Sequence, residues 1–271
     1  MSVFGRNNGL MTAPADNPSL EKYLINVNPE AANLPAGIHM AFTTRKCGRS
    51  KAPFDSFNLG LHVGDDPKHV DENRKQLLTD LSGVERIAWL NQIHSTDVVT
   101  VDDGYGKAPD ADAAVTRSRG IALAIMTADC LPVLLASDDG SVVGAAHCGW
   151  RGLAGGVLEN TVRKMNTEPG KITAWLGPCI GPDAFEVGEI VRESFCSGNP
   201  DGDRYFRVSQ PKNGENKYLA DLPGLARQKL RQMGVVRVIS SGLCTYTDSS
   251  LFFSYRRERV TGRMASLVWM G

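Results

Sequence analysis

The stretch IALAIMTADCLPVLLASDDGSVVGAAHCGWRGLAGG, residues 121–156, contains three apolar runs in close succession. Each run has the length and composition of a buried strand: 121–128, 131–137 and 141–147. The Ser-Asp-Asp-Gly sequence at 137–140 separates the last two runs and has the residues of a hairpin turn. The third run ends at His147 and leads into a turn rich in glycine. This stretch therefore predicts a sheet whose strands include a hairpin.

The rest of the chain combines further strand patterns with helix patterns. Additional strands are predicted at 38–43, 87–93, 97–101, 172–177, 235–240 and 264–270. Helices are predicted at 67–82, 153–166, 183–195 and 219–233. Because strands occur in clusters as well as alternating with helices, we expect an α+β fold. Its mixed β-sheets are expected to pack with helices in a layered, α/β/β/α-like arrangement.

Length and composition limit the domain organisation and the class of partner. The 271 residues contain no internal repeat or low-complexity linker, so we expect one domain over 21–271 behind a flexible leader over 1–20. The net charge of zero disfavours a nucleic-acid or anionic-membrane surface. No apolar run has the length of a membrane span, and the leader lacks the apolar segment of a secretory signal. We therefore expect a cytoplasmic protein whose six cysteines are reduced.

Three residues with metal-binding side chains stand where apolar runs end or meet: His94, Cys130 and His147. Strand ends gather at the rim of a sheet, where these side chains can converge. Zinc binds such nitrogen and sulfur donors at ~2.0–2.3 Å, and three protein ligands leave a fourth position for water or substrate. Copper accepts the same donors. The pattern therefore predicts a catalytic metal site, but the gaps of 36 and 17 positions match no compact zinc motif.

Other interpretations of the same residues stay open. Cys130 can be a thiolate nucleophile with His94 or His147 as its base, and sequence spacing does not separate this dyad from a metal site. The histidines can also be structural and Cys130 a core residue. Cys148 can supply a fourth sulfur for a closed, purely structural metal site. However, it should point away from the site if the strand ending at His147 continues, because successive side chains alternate faces.

The glycine-rich turn after His147 has the features of an anion site. Glycines allow close approach of the backbone to a ligand, and a helix N-terminus favours anions. Arg151 in this turn can hold a phosphate or carboxylate through two parallel hydrogen bonds. The turn thus predicts an anion-binding group beside the metal, with a simple packing turn as the alternative.

Several motifs in a fixed order resemble one known family. They are FTTRKCGRS, FNLGLHVGDDPKHVDENR, NQIHSTDVV, DADAAVT, TADCLPVLL, AAHCGWRGL, GPCIGPDAFEVG and LFFSYRRERVTGRMASLVW. The chain resembles, over roughly residues 38–270, the bacterial polyphenol oxidase or laccase-domain family, whose members are assigned as zinc-dependent purine nucleoside phosphorylases. The resemblance implies that His94, Cys130 and His147 bind the metal.

The resemblance also implies an activity and its substrates. The expected reaction is phosphorolysis of adenosine, inosine and methylthioadenosine, with some deamination of adenosine, in a monomer or homodimer. Within the matched motifs, the candidates for binding phosphate, sugar or base are Arg151 first, then Arg45, Arg256 and Asn58. Oxidation of phenols with copper is the alternative, but five histidines are too few for several copper centres.

Two further hypotheses belong to other functional classes. The runner-up is a Cys-His hydrolase or amidase acting on a small cell-wall precursor without a metal. The third is a non-enzymatic metal-binding module.

For deamination, the His-x-Glu motif of zinc deaminases is absent, so Asp129 is considered either as a proton carrier or, preferably, as a residue that orients a ligand.

Overall fold

The computed structural model describes Met11–Thr12 and residues 23–271. The predicted leader over 1–20 lies outside the described residues, apart from Met11 and Thr12. The strands are β1 Met11–Thr12, β2 Leu24–Val27, β3 Ile38–Thr43, β4 Arg86–Ala88, β5 Val98–Val101, β6 Ala113–Thr116, β7 Ile121–Thr127, β8 Leu131–Ser137, β9 Val143–Cys148, β10 Ile172–Leu176, β11 Glu186–Gly188, β12 Phe206–Lys212, β13 Glu215–Ala220, β14 Arg237–Ser240 and β15 Met264–Met270. The α-helices are α1 Pro67–Asp80, α2 Trp150–Gly155, α3 Val157–Met165, α4 Glu189–Cys196, α5 Leu222–Gln232 and α6 Tyr255–Glu258. Short 3-10 helices cover Pro169–Lys171 and Gly202–Tyr205.

Two six-stranded sheets form the centre of the molecule. The first has the order β1-β2-β3-β15-β7-β4 and the second β14-β10-β8-β9-β6-β5. Both are mixed, since β4 runs parallel to β7, β5 to β6 and β10 to β14, whereas the other neighbours are antiparallel. A small third sheet, β11-β13-β12, lies beside them.

The two large sheets pack face to face, with helices on their outer faces. Phe42 of the first sheet stacks on Trp175 of the second, with ring centroids 5.8 Å apart. Leu77 of α1 packs on the outer face of the first sheet, and Leu158 of α3 and Leu225 of α5 pack on that of the second. This α/β/β/α arrangement confirms the predicted fold class. Because β7 and β8 are covered on both faces, all their residues are buried, which explains their continuous apolar sequences.

Agreement with the predicted elements is closest where both faces are buried. The predictions for 38–43, 131–137 and 264–270 match the strands residue by residue. The helix predicted over 153–166 is instead two helices, because Gly156 adopts a left-handed conformation with φ of 105°. The strand predicted over 87–93 ends at Ala88. The helix predicted over 183–195 begins only at Glu189, after the strand β11.

The hairpin of β8 and β9 places Cys130 and His147 at the same end of the sheet. Its predicted turn is confirmed, since the Gly140 N–H donates to the Ser137 carbonyl at 2.9 Å and Gly140 has φ of 65°. The register pairs Leu131 with Cys148, so the residue before β8 lies beside the end of β9.

Within the described residues, no helix is long and apolar enough to cross a membrane.

Candidate metal centre and active site

The side chains of His94, Cys130 and His147 converge at one end of the two-sheet core. Their potential ligand atoms all lie within 4.8 Å of one another. Donors that lie ~2.0–2.3 Å from one tetrahedral ion are roughly 3.3–3.8 Å apart, so small side-chain movements would bring the three atoms to that spacing. Within residues 23–271 it is the one such group of three or more His, Cys, Asp or Glu side chains. The three residues can therefore hold a metal ion.

The β8–β9 hairpin positions two of the three ligands. Val143 and Ala145 of β9 point into the interface between the sheets, and alternation places His147 on the same side, at its rim. Cys130 precedes β8 and faces the same rim. Cys148 points to the other side, where it is fully buried in the core under the helices. The expectation that Cys148 turns away from the site is thus confirmed by its burial.

The loop after β4 supplies His94. The amide of Gln92 is paired twice with the backbone of Met126 at the end of β7: its nitrogen donates to the carbonyl at 2.8 Å, and its oxygen accepts from the N–H at 2.8 Å. This pairing holds the loop against the first sheet. His94 itself has φ of 61°, a left-handed conformation that is uncommon for a non-glycine residue and that concentrates at functional sites.

Asp112 links two of the ligands. One of its carboxylate oxygens lies 2.8 Å from His147 Nδ1, and the other accepts the backbone N–H groups of Ile93 at 3.1 Å and Ser95 at 2.6 Å. Asp112 is fully buried, and these hydrogen bonds offset the free-energy cost of removing its carboxylate from water. Because Nδ1 of His147 is engaged, Nε2 is the ring atom left for a metal. Asp112 therefore orients His147 and fixes the loop that carries His94.

Sequence reasoning missed Asp112. The residue lies in the DADAAVT motif, immediately before β6, at the same sheet rim as the ligands. A carboxylate directly before a buried strand was the available signal. Its partners, however, are 17 to 35 positions away, and only the fold brings them into contact.

Cys130 and His147 shift each other's pKa towards the charged forms. Burial opposes ionisation of Cys130, but the charge on His147 and hydrogen bonds from His147 and His94 outweigh it and lower the thiol pKa to about 6. Burial opposes protonation of His147, but Cys130 and Asp112 outweigh it and raise the imidazole pKa to about 9. Near pH 7.5 a thiolate thus faces an imidazolium. A thiolate is the form of cysteine that binds metals and also the form that acts as a nucleophile.

Close packing around the ligands explains Gly149 and Gly152 in the turn after His147. A Cβ atom on Gly149 would lie 3.1 Å from Cys130 Sγ and 3.2 Å from His94 Cδ2. A Cβ atom on Gly152 would lie 3.1 Å from the carbonyl oxygen of Ser95. The turn can therefore accept only small residues against the loop that carries His94.

A cavity of about 440 Å³ opens at the three ligands, a volume typical of small-molecule sites. It is lined by His62, Gln92, His94, Met126, Thr127, Ala128, Cys130, His147, Tyr255 and Arg263. Among the described residues, Arg263 is the one arginine or lysine in this lining. Its Nη1 donates to the carbonyls of Thr261 and Gly262, each at 3.0 Å, which fixes the guanidinium in place. Burial lowers the pKa of Arg263, and the nearby Cys130 works against that shift.

The predicted arginines lie outside the cavity lining. Arg151 is exposed, with its guanidinium 4.5 Å from the ring centre of Trp150. Arg45 donates to the carboxylate of Glu258 at 3.0 Å and lines a different pocket, together with Lys46 and Asp55. Arg256 donates from Nη1 to the carbonyl of Glu186 at 2.9 Å. The structure thus brings His94, Cys130 and His147 together around the cavity, and none of these three arginines is among the residues that line it.

Asn58 is fully buried, and its amide is used within the fold. The nitrogen donates to the carbonyl of Gly60 at 3.2 Å and to the carboxylate of Asp65 at 2.9 Å. The oxygen accepts from the N–H groups of Gly60 and Arg263, both at 2.9 Å. These contacts leave no free amide donor or acceptor directed at a substrate. They make Asn58 a support for the backbone of Arg263.

Asp129 has a structural role next to Cys130. Its carboxylate accepts from Thr245 Oγ1 at 2.7 Å and from the backbone N–H of Arg256 at 2.6 Å. It also has φ of 105°, far from the usual region for a non-glycine residue. These bonds hold the chain in the turn that presents Cys130, which favours the orienting role over proton transfer.

Comparison with known proteins places these features in context. The family model described as "Multi-copper polyphenol oxidoreductase laccase" matches residues 39–271. Purine nucleoside phosphorylase YfiH of Escherichia coli is 46% identical, with 87% of this chain and 95% of that protein covered. A phosphorylase of Pseudomonas aeruginosa shows the same identity over the same shares of the two chains. The crystal structure of YlmD from Geobacillus stearothermophilus superposes with a TM-score of 0.85 at 31% identity, covering 97% of this chain and 99% of that one.

Proposed function

Since the chain belongs to the multi-copper polyphenol oxidoreductase laccase family, and its curated relatives carry the name purine nucleoside phosphorylase, we propose that it is a metal-dependent purine nucleoside phosphorylase. The observation that carries this proposal is the convergence of His94, Cys130 and His147 on a cavity that also contains Arg263. The proposed substrates are inosine, adenosine and methylthioadenosine together with inorganic phosphate. Deamination of adenosine is a proposed side reaction, and the proposed location is the cytoplasm, in keeping with six free cysteines.

The donor set fits zinc. It offers a thiolate and two imidazoles, and Asp112 already holds the His147 ring with Nε2 available. The three residues named above would hold the ion, which when bound supplies positive charge that polarises phosphate oxygens. Copper binds the same donors, so metal analysis must decide between the two ions.

Arg263 is the residue we propose to bind phosphate, in place of Arg151. A guanidinium matches the geometry of a phosphate through two parallel hydrogen bonds. Arg263 lines the cavity and is held by two carbonyls, whereas Arg151 is exposed on α2. A fixed cation requires little reorganisation as charge develops, which makes it effective in a transition state.

In the proposed reaction, a phosphate oxygen bonds to C1′ of the sugar while the bond from C1′ to N9 of the purine breaks. The electron pair of the broken bond moves into the purine ring. The cavity walls hold phosphate and nucleoside together, so the reaction gains from proximity and alignment. Water must be excluded, because it would compete with phosphate for C1′.

The alternative functions lack comparable support. A multicopper oxidase needs several copper centres, and the part of the chain that the structure describes contains one cluster of suitable side chains. A closed structural site with Cys148 is disfavoured because that thiol is buried in the opposite core. A Cys-His hydrolase shares the thiolate–imidazolium pair, so an experiment must separate it from a metal enzyme.

The test combines metal analysis with a phosphate-dependent assay. We expect about one zinc per chain and release of hypoxanthine from inosine only when phosphate is present. Cys130→Ala should lose both metal and activity, while the matched variant Cys196→Ala, at a half-buried cysteine of α4, should keep them. A hydrolase would behave differently: it would stay active after complete metal removal and be inactivated by alkylation of Cys130.

A further inference from the structure

The mouth of the cavity carries side chains that the proposed roles leave unused. His62 and Tyr255 line the cavity with the metal ligands, and both are exposed, Tyr255 to 48%. Within residues 23–271, no group is hydrogen-bonded to either ring nitrogen of His62. The ring is therefore available to a ligand that enters the cavity.

A glycine brings His62 next to Arg263. A Cβ atom on Gly60 would lie 3.4 Å from Cε1 of His62 and 2.9 Å from Cγ of Arg263. The two side chains therefore flank the same point of the backbone. A ligand that contacts Arg263 with one end can reach His62 with another.

The surroundings favour the neutral form of His62. Partial burial of the ring lowers the pKa of His62, and the positive charges of Arg263 and Arg74 lower it further. A neutral imidazole has one ring N–H that donates and one nitrogen that accepts. The same two arginines create a positive potential that favours a ligand carrying developing negative charge.

Phosphorolysis creates negative charge on the departing purine. When the bond from C1′ to N9 breaks, its electron pair spreads over the five-membered ring, so N7 becomes a strong hydrogen-bond acceptor. Resting on the proposed function, we propose that His62 donates a hydrogen bond to N7 of the departing purine while Tyr255 packs against the base. The proton that completes the free purine comes from solvent, and it balances the proton that hydrogen phosphate loses on becoming an ester.

The test uses a substrate that does not need this hydrogen bond. In 7-methylinosine the ring already carries a positive charge and N7 is blocked, so the base leaves without a donor. His62→Phe keeps a flat ring without an N–H group. We expect it to lower kcat/KM for inosine by about 10²–10³-fold, as for the removal of one donor directed at developing charge. For 7-methylinosine we expect a change of less than about threefold, because no such donor is used.

Two further variants complete the design. His62→Asn keeps an N–H donor and should recover part of the inosine activity. His39→Phe, at a residue that stacks on Trp269 of β15, serves as the matched control and should change neither rate. Metal content should be unchanged in all variants, since His62 is not one of the converging ligands.

Each outcome decides a separate question. If His62→Phe lowers kcat/KM equally for inosine and 7-methylinosine, His62 does not assist the leaving group. The same holds if kcat/KM for inosine stays within about threefold of the original value. If the unmodified protein fails to cleave inosine in phosphate, the proposed function fails first and the His62 assignment fails with it.

Discussion

Replacing Asp112 by Asn tests how the metal ligands are oriented. The carboxylate accepts a hydrogen bond at His147 Nδ1 and two from the backbone beside His94. An amide presents one oxygen and one NH₂ group. If the oxygen keeps Ser95 and Ile93, the NH₂ group faces Nδ1, and the imidazole must then carry its proton on Nε2, the atom that would bind the metal.

The expected loss follows from the number of contacts broken. Removing a hydrogen-bonding partner of a metal ligand lowers metal affinity by about 10–100-fold, which corresponds to ~1.4–2.7 kcal/mol. We expect Asp112→Asn to lie at the upper end, because Asp112 touches His147 and the His94 loop together. It should also lower the free energy of unfolding, because a buried hydrogen-bonding group is altered.

The assay is a competition titration of zinc against a chelator of known affinity at pH 7.5, accompanied by thermal unfolding of the metal-free protein. Asp110→Asn is the matched control, since Asp110 is exposed two residues upstream and contacts Asn91 rather than a ligand. An Asp112→Asn affinity within about twofold of the original, or an equal loss in the control, would refute the orienting role.

Three further predictions concern the same site. Between pH 7 and 8.5 the metal must displace one proton, because Cys130, with a pKa of about 6, is already ionised while His147, with a pKa of about 9, is still protonated. Apparent metal affinity should therefore rise about tenfold per pH unit in a competition titration, and a flat profile would contradict these assignments. Gly149→Ala should weaken metal binding by at least about tenfold, because its Cβ would lie 3.1 Å from Cys130 Sγ; unchanged metal content after dialysis would show that the ligands can move apart. Arg263→Met should raise KM for phosphate or lower kcat/KM by about 10²-fold in the inosine assay, whereas Arg151→Met should change it by less than about threefold; the reverse order would return the phosphate role to Arg151.

Much of the core could be predicted from local pattern. Strands β8 and β15 are buried at every residue, and β3 at every residue but His39, so their apolar runs define them without knowledge of their neighbours. The hairpin β12–β13 was missed because its strands are mostly exposed and polar. Its turn nevertheless contains Asn213-Gly214, both with positive φ, which is the strongest short-range signal for a hairpin.

The site was predictable to a smaller extent. His94, Cys130 and His147 were recognisable because each is a potential metal ligand at the end of an apolar run, and the family resemblance supported the same set. Asp112 was missed although a carboxylate directly before a buried strand was an available signal, and Arg263 was missed because neither its residue type nor its spacing marks it. They become important only through contacts between distant segments, such as the one from Asp112 to His147.

The tight turn at 137–140 also sets the register of the strand that carries His147. The ladder from Ala136–Val143 to Leu131–Cys148 transmits the turn's register over several residue pairs, so the turn determines which β9 side chain emerges at the rim. Deleting a single residue of β9 before His147 would turn His147 into the helix-covered core and place Cys148 opposite Pro132 at the rim. Such a deletion would thus exchange a nitrogen donor for a sulfur donor at the metal centre, although the deleted residue lies away from it.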